Sequence, residues 1–467
     1  MRTLQSVVPT PEQLAIFSRT RAGVELIRGA AGSGKTTTAL LKLRSVIAFF
    51  ANRRRRMNSA APLRVLVLTF NRTLRGYIEE LTVAQAANSQ GALLEIETFG
   101  RWAKQRLGNP RMIKDGVGEV KIKALGAHLP LAPDYLCDEV DYVMGRFLPA
   151  DYTKYLSAKR EGRGSSPRVD RGLREKILHD VVMPYVQWKQ KQGSNDWNDL
   201  AVQLTRKQQM PLYDVVIADE TQDFSANQVR AIMNQVAVDH SVTFVMDSAQ
   251  RIYPRGFTWQ EAGVEIKAEN SKRLTKNYRN TFEIASLAVS VVKGVVVDDD
   301  GTIPDPAACV LRGEKPRLLK GLFLKQLQFA IKHISTNVDL SKESVAFLHP
   351  LGGGWFDCIR SELRKAHLPF VELSRQSDWP TGPENIGLST LHSAKGLEFD
   401  HVIILGLNSE VTVHGNDEDD DRLINLRRLL AMGIGRARKT VLLGYKPDQA
   451  SQLISYLDPS TYLLKAV

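Results

Sequence analysis

The chain has 467 residues, 43% of them hydrophobic and 24% charged, which fits a folded protein and excludes a disordered or fibrous one. At that length roughly three units of about 150 residues are expected. The net charge of +12 and pI near 9.5 favour a polyanionic partner, nucleic acid first. Cys137, Cys309 and Cys358 form no CxxC pair, the N-terminal "MRTLQSVVPTPEQ" has no apolar core, and no apolar run approaches a membrane span, so a disulfide scaffold, a zinc cluster and a membrane protein are set aside and the cytoplasm is expected.

In chain order, "VELIRGA" (24–30) reads as a buried strand, too short and too β-branched for a helix. It runs into "GAAGSGKT" (29–36), which fits G-x-x-x-x-G-K-[ST], and a helical run, "TTTALLKLRSVIAFFA", follows. Strand, glycine loop and helix in this order let the backbone N–H groups of Gly29, Ala30, Ala31, Gly32, Ser33 and Gly34 face one concavity at a helix N-terminus. Lys35 would then pair with the β- and γ-phosphates of ATP, and Thr36 would be a ligand of Mg²⁺. The "RRRR" run (53–56) reads as a solvated loop or a phosphate-holding patch, the loop being favoured. "RVLVLTF" (64–70) and "LLEIETF" (93–99) are further strands.

After Phe99 the pattern turns charged and helical until Asp214 and reads as an inserted subdomain. "YDVVIADE" (213–220) and "VTFVMD" (242–247) resume the strands. In "DVVIADETQD" an apolar strand ends on consecutive acids, so Asp219 would hold Mg²⁺ and Glu220 would polarise an attacking water. Lys35 and Asp219 lie farther apart than a unit of about 150 residues accommodates, which supports the insertion independently. "MDSAQRIYPRGFTW" (246–259) follows the next strand and reads either as aromatics tucked into a core or as a loop where two ligands meet. A domain boundary falls near 267–276. "SVAFLHP", "FVELS", "IGLSTLH", "HVIILGL" and "TVLLGY" then repeat the strand pattern, and "NDEDDD" (416–421) reads as a loop or helix start.

"PTPEQLAIF", "GAAGSGKT", "LTFNRTLRGYI", "ETFGRW", "DETQD", "NYRNT", "STLHSAKGLEFDHVIIL" and "RRLLAMGIGRARK", in that order, resemble the motif set of superfamily 1 helicases of the UvrD/Rep/PcrA type. The resemblance implies an α/β protein with two RecA-like P-loop NTPase domains built on parallel sheets, a helical insertion in the first, and ATP between them. The expected divisions are 1–102 and 196–272 for the first domain, 103–195 for the insertion and 273–467 for the second domain. It places Gln13 at the adenine-reading position, Thr37 where an adenine-stacking Arg is common, and Tyr278 where an aromatic stacks on the base. Arg279 and Arg436 fall at the two arginines that reach the γ-phosphate, Glu398 near the ribose and Gly396 at a close backbone approach. Gln250 would sense the γ-phosphate, with Asp247 in the metal–water network.

The same resemblance puts Phe70, Asn71, Arg72, Thr98, Phe99, Tyr253, Arg255, Phe257, Trp259, Thr390 and His392 on single-stranded DNA. Trp197, in "DWNDL", reads as packing or function, and His392 as a DNA contact or a strand-end histidine. Gly100, Gly435 and the pair Asn425–Leu426 depart from the family pattern. No room remains between "NYRNT" and "IGLSTLH" for the large second insertion of the best-known members. The implied activity is ATP hydrolysis stimulated by single-stranded DNA or a tailed duplex, with 3′ to 5′ translocation and unwinding. Its alternatives are a partner-dependent ATPase of a repair, plasmid or anti-phage complex, with a protein partner that activates unwinding, and a DNA-binding scaffold.

Overall fold

The computed structural model describes residues 9–18, 20–29, 33–59, 61–69, 92–159, 167–246, 256–295, 306–373, 380, 382–415, 417 and 420–467. Ala30, Ala31, Gly32, Phe70, Asn71, Arg72, Asp247, Gln250, Tyr253 and Arg255 lie outside the described residues.

Strands β1 (Gly23–Gly29), β2 (Leu63–Thr69), β3 (Ala92–Thr98), β4 (Tyr213–Ala218), β5 (Val236–Met246) and β6 (Ser271–Leu274) form the first sheet, in the order β3-β2-β4-β5-β1-β6. All neighbours in it are parallel. A parallel sheet is covered on both faces, so its strands read as apolar runs, and every residue of β4 is buried. On one face lies the helix Lys35–Arg56, whose Ala39, Leu40, Leu43, Val46, Ile47 and Phe50 recur at helical spacing. The other face carries the helices Phe99–Arg106, Trp197–Arg206 and Ala226–Asn234. Where the sequence predicts a loop at "RRRR", the structure has the last turn of the first of these helices. Cations suit that end of the dipole, and Arg54 is fixed there, donating to Asp214 Oδ1 at 2.6 Å and to the Ala61 carbonyl at 2.7 Å. β6 carries the first sheet through Leu274, past the expected division at 272.

Between β3 and β4 the chain builds the helices Val117–Leu125, Pro133–Arg146, Arg171–Lys176 and Met183–Lys191 around a separate core that includes Leu136, Val140, Val143, Tyr155, Ile177 and Val181. It returns through an Asp196 capping box, with Lys189 Nζ 2.6 Å from both Asp196 and Asp199. The insertion is tied to the first lobe by Asn227, whose fully buried amide donates to the carbonyls of Met144 (2.8 Å) and Phe147 (2.9 Å). Removing that amide strands two buried carbonyls. Asn227→Ala is therefore expected to cost about 2–3 kcal/mol and to expose the insertion first, read by urea unfolding and limited proteolysis. An unchanged midpoint would refute it.

After β7 (Asn277–Thr281) and β8 (Cys309–Leu311), which pair with each other, come β9 (Arg317–Lys320), β10 (Val345–His349), β11 (Phe370–Glu372), β12 (Ile386–Thr390), β13 (Phe399–Ile404), β14 (Ala437–Tyr445) and β15 (Leu463–Ala466). Those seven form the second parallel sheet, in the order β11-β12-β10-β13-β14-β9-β15. The helices Phe282–Val292 and Asp421–Ile434 cover one face, and Phe323–Asn337 and Gly354–Lys365 the other. Asp420, within the acidic run, caps the helix Asp421–Ile434. Among the described residues between β7 and β12, every helix and strand but the β7–β8 pair belongs to this sheet or its cover, and no further domain stands there. The doubly wound α/β architecture with a helical insertion is thus borne out.

Candidate nucleotide and nucleic-acid site

β1 delivers Gly29 to the edge where ligands bind in such sheets. A Cβ at Gly29 would meet the Leu274 carbonyl oxygen at 2.9 Å, so only glycine fits. Gly34 turns into the helix Lys35–Arg56 with φ 78°, in the left-handed region. Ser33 is buried and its Oγ meets no hydrogen-bond partner among the described residues, as a hydroxyl facing a ligand cradle would be. Gln13 packs on this loop. Its Oε1 accepts from Thr10 N at 3.0 Å in a capping box, and its Nε2 donates to the Gly34 carbonyl at 3.4 Å. Thr37 lies half-buried one residue past Thr36.

Thr36 Oγ1 donates to Asp219 Oδ2 at 2.8 Å, which brings the two expected metal ligands together across the whole insertion. Among the described residues no group of three or more His, Cys, Asp or Glu gathers as a metal cage. One hydroxyl and one carboxylate, with phosphates completing the shell, is the donor set Mg²⁺ takes. Burial and the neighbouring Glu220 raise the Asp219 carboxyl to about 7, against the opposing hydrogen bond from Thr36 and the charge of Lys35. Glu220 moves the other way. Burial would raise it, but Lys395, Arg436, Lys35 and the Gln222 amide outweigh burial and hold it below the ordinary range. Adjacent acids pushed apart in this way are suited to different roles. Glu220 also sits at φ 52°, a conformation few non-glycine residues adopt.

From the second lobe, Arg279 Nη2 donates to Glu398 Oε1, so the two groups expected at the γ-phosphate and the ribose are paired with each other. Tyr278 lies beside Arg279, half-buried. Arg436 is 3% exposed and donates to the Met432 carbonyl at 3.2 Å. Asn280 holds the two arginine segments in register, donating to the carbonyls of Gly435 (3.0 Å) and Ala437 (2.6 Å). Gly396 takes φ 82° in the turn after β12. The preceding residue, Lys395, is absent from the sequence-based site, yet its Nζ pairs with Asp223 and lies 3.7 Å from Glu220 Oε2. Its position inside the most specific motif, between His392 and Gly396, is the signal that could have found it.

The expected DNA contacts divide. Thr98 ends β3 and caps the next helix, accepting from Arg101 N at 3.5 Å. Phe99 is corrected to the core. It is 3% exposed, with ring contacts to Trp102 and Phe224, and so offers no stacking face. The ring available there belongs to Trp197. A Cβ at Gly100 would lie 3.1 Å from its Cε3 and Cζ3, yet Trp197 stays 51% exposed. The family departure at Gly100 is thus the space Trp197 occupies. Phe257 and Trp259 are half-buried, edge to face at 5.9 Å, and Trp259 leans on Phe244 at 4.9 Å. Glu261 accepts from Thr258 N at 2.8 Å and from Arg146 at 2.5 Å, which braces this turn against the insertion. Thr390 ends β12, its hydroxyl donating to Ser393 Oγ at 3.0 Å, and His392 is exposed beside it.

The chain matches the family model described as AAA domain over residues 12–255, more than half its length, and that described as UvrD-like helicase C-terminal domain over residues 357–447. It is similar to the ATP-dependent DNA helicase Rep of Escherichia coli, 36% identical over 84 residues, covering 18% of this chain and 12% of that protein. Rep of Buchnera aphidicola (strain APS) is likewise 36% identical over 84 residues, covering 18% and 13%. The "Probable DNA helicase" of Mycoplasma pneumoniae is 22% identical over 262 residues, covering 53% of this chain and 46% of that protein. The matched stretches therefore span less than half the length of these curated relatives. No helix among the described residues is long and apolar enough to cross a membrane.

Proposed function

The chain belongs to the UvrD/Rep type of superfamily 1 helicases, and from that footing we propose that it hydrolyses ATP in the cleft between its two lobes and uses the cycle to move 3′ to 5′ along single-stranded DNA and open duplex. The observation that carries the proposal is the convergence of Thr36, Asp219 and Glu220 from the first lobe with Arg436 and Lys395 from the second. Ser33, Gly34 and Lys35 would cradle the phosphates, and the Thr36 hydroxyl and Asp219 carboxylate would hold Mg²⁺, which when bound neutralises charge on the β- and γ-phosphates. Glu220 orients the attacking water and accepts its proton. Arg279 and Arg436 stabilise charge on the transferring group, and because both belong to the second lobe, hydrolysis is tied to cleft closure. Leaving Glu398 for the phosphate is a step this cycle asks of Arg279.

The DNA track runs over the ends of β3 and β12, which carry Thr98, Thr390 and His392, past Trp197 at the start of its helix, and over Phe257 and Trp259 on the first lobe. Trp197→Ala is expected to weaken single-stranded DNA binding about 10-fold without altering its steep salt dependence, since it removes a stacking face and no phosphate contact. Fluorescence anisotropy across a salt series reads both quantities. Unchanged affinity would return Trp197 to a packing role.

One comparison tests the function as a whole. ATP hydrolysis is measured with and without single-stranded DNA, beside unwinding of 3′-tailed and 5′-tailed duplexes. Stimulation with opening of the 3′-tailed duplex supports the proposal, and absence of hydrolysis, or a preference for the 5′ tail, refutes it. Between β7 and β12 no further domain stands among the described residues, and this favours a second reading, an ATPase that needs a protein partner to unwind. Stimulated hydrolysis without strand separation would favour it.

A further inference from the structure

Between the end of β6 at Leu274 and the start of β7 at Asn277 the chain crosses from the first lobe to the second in two residues, Thr275 and Lys276. β7 is already part of the second lobe, since Asn280 donates to the carbonyls of Gly435 and Ala437. Thr275 and Lys276 are both exposed, so burial does not set the direction of the crossing. Glu12 does. Its Oε1 accepts from Thr275 N at 2.9 Å and from Thr275 Oγ1 at 2.8 Å, and its Oε2 accepts from Lys276 N at 3.3 Å. One carboxylate thus grips the backbone of both crossing residues, and its charge makes these bonds stronger than neutral ones. An acid in the first turn of a helix commonly serves only the helix dipole. These three bonds instead leave the helix for residues 263 and 264 positions along the chain.

The helix that carries Glu12, Pro11–Phe17, is anchored without it. The Thr10–Gln13 capping box closes its first turn, and Ile16 sits in the core. Gln13, the next residue, is seated against the phosphate loop, where a Cβ at Gly34 would fall 2.5 Å from its Nε2. The Gln13 amide spends one acceptor on Thr10 and one donor on Gly34, and its chemistry supplies a second of each. On the other side of the carboxylate, Tyr278 stands two residues beyond Lys276. One side chain therefore ties together the two segments that bear Gln13 and Tyr278.

We propose that Glu12 is a positioning residue for the nucleobase, setting where Tyr278 stands relative to Gln13 and so sharpening the preference for adenine. The inference rests on the reading of Gln13 and Tyr278 as the residues that meet the base. A glutamine amide pairs with N6 and N7 of adenine, whereas O6 and N7 of guanine both accept. That discrimination is realised only if the stacking ring holds the base at the amide, and the Glu12 bonds fix the ring's segment against the helix of the amide.

The test measures Kd for ATP and for GTP with Mg²⁺, by displacement of a fluorescent ADP analogue. It uses wild type, Glu12→Ala, Glu12→Asp, Glu12→Gln and Gln13→Ala, each checked for folding by circular dichroism. Glu12→Ala is expected to weaken ATP binding about 10-fold, the worth of about one hydrogen bond, and to leave GTP binding within about threefold. Two conservative variants separate positioning from a dipole role. Glu12→Asp keeps the charge in the first turn but is one methylene too short for the crossing, and should lose selectivity as Glu12→Ala does. Glu12→Gln gives up the charge but keeps the length and one acceptor, and should retain most of the selectivity. The reverse order, with Glu12→Asp like wild type and Glu12→Gln like Glu12→Ala, overturns the inference. So does equal weakening of ATP and GTP, or unchanged selectivity in all three Glu12 variants while Gln13→Ala loses it. Wild type that binds ATP no better than GTP, or Gln13→Ala with wild-type ATP affinity, overturns the reading of the base site, and this inference with it.

Discussion

Glu220→Gln is expected to lower ATP turnover by about 10²–10⁴ while leaving nucleotide affinity near that of wild type. The substitution keeps the size and burial of the side chain and removes its ability to accept a proton. It also leaves Thr36 and Asp219 in place, so a protein that binds ATP and stalls is the expected product. Asp219→Asn should behave differently. Asp219 is the carboxylate bonded to the Thr36 hydroxyl, and its loss should weaken Mg²⁺-dependent binding as well as turnover. Binding of a fluorescent ATP analogue, measured with and without Mg²⁺ beside the steady-state rate, separates the two. If Glu220→Gln hydrolyses ATP within about threefold of wild type, Glu220 is not the base.

What was legible in the sequence follows from how each element is stabilised. The central strands β1, β2, β4, β10 and β13 are buried on both faces, so aliphatic runs reveal them without knowledge of their neighbours. β6 ("SKRL"), β9 ("RLLK") and β15 ("LLKA") are short and carry charge, and exist because a partner strand is already there to pair with. No local pattern encodes that. The phosphate loop was legible because its chemistry is contiguous, with strand, glycines, lysine and threonine in one run. Phe99 was misassigned for the opposite reason. Its ring direction is decided by Trp102, three residues on, and by Phe224, more than a hundred residues away. Gly100 reads as a departure and Trp197 as packing or function, and in the structure they are one device, a missing Cβ and the ring that fills its place. Lys395 escaped because a lysine in a polar turn reads as solvated until the acids of the other lobe are seen around it.

The arginines of the second lobe carry the other large expected effect. Arg279→Ala and Arg436→Ala should each lower the DNA-stimulated kcat by about 10³, the low end of what an arginine reaching a transferring phosphoryl group supplies. The two should nevertheless be distinguishable. Arg436 is buried beside Glu220, and helps to hold that carboxylate below the ordinary range. Its removal takes away both phosphate stabilisation and support for the base. Arg279 is paired with Glu398 on its own lobe, so Arg279→Ala also releases the acid expected near the ribose. Glu398→Gln weakens the pairing without deleting the guanidinium, and is expected to lower ATP affinity with a smaller loss of kcat. Lysine should rescue neither arginine, because a point charge cannot reproduce the planar fork that bridges phosphate oxygens. Pre-steady-state hydrolysis by the Ala and Lys variants, with nucleotide binding measured alongside, tests the assignment. Full activity in Arg436→Lys would mean that charge alone is needed there. Arg436 would then act on Glu220 electrostatically, as Lys395 does, and Arg279 alone would reach the phosphate.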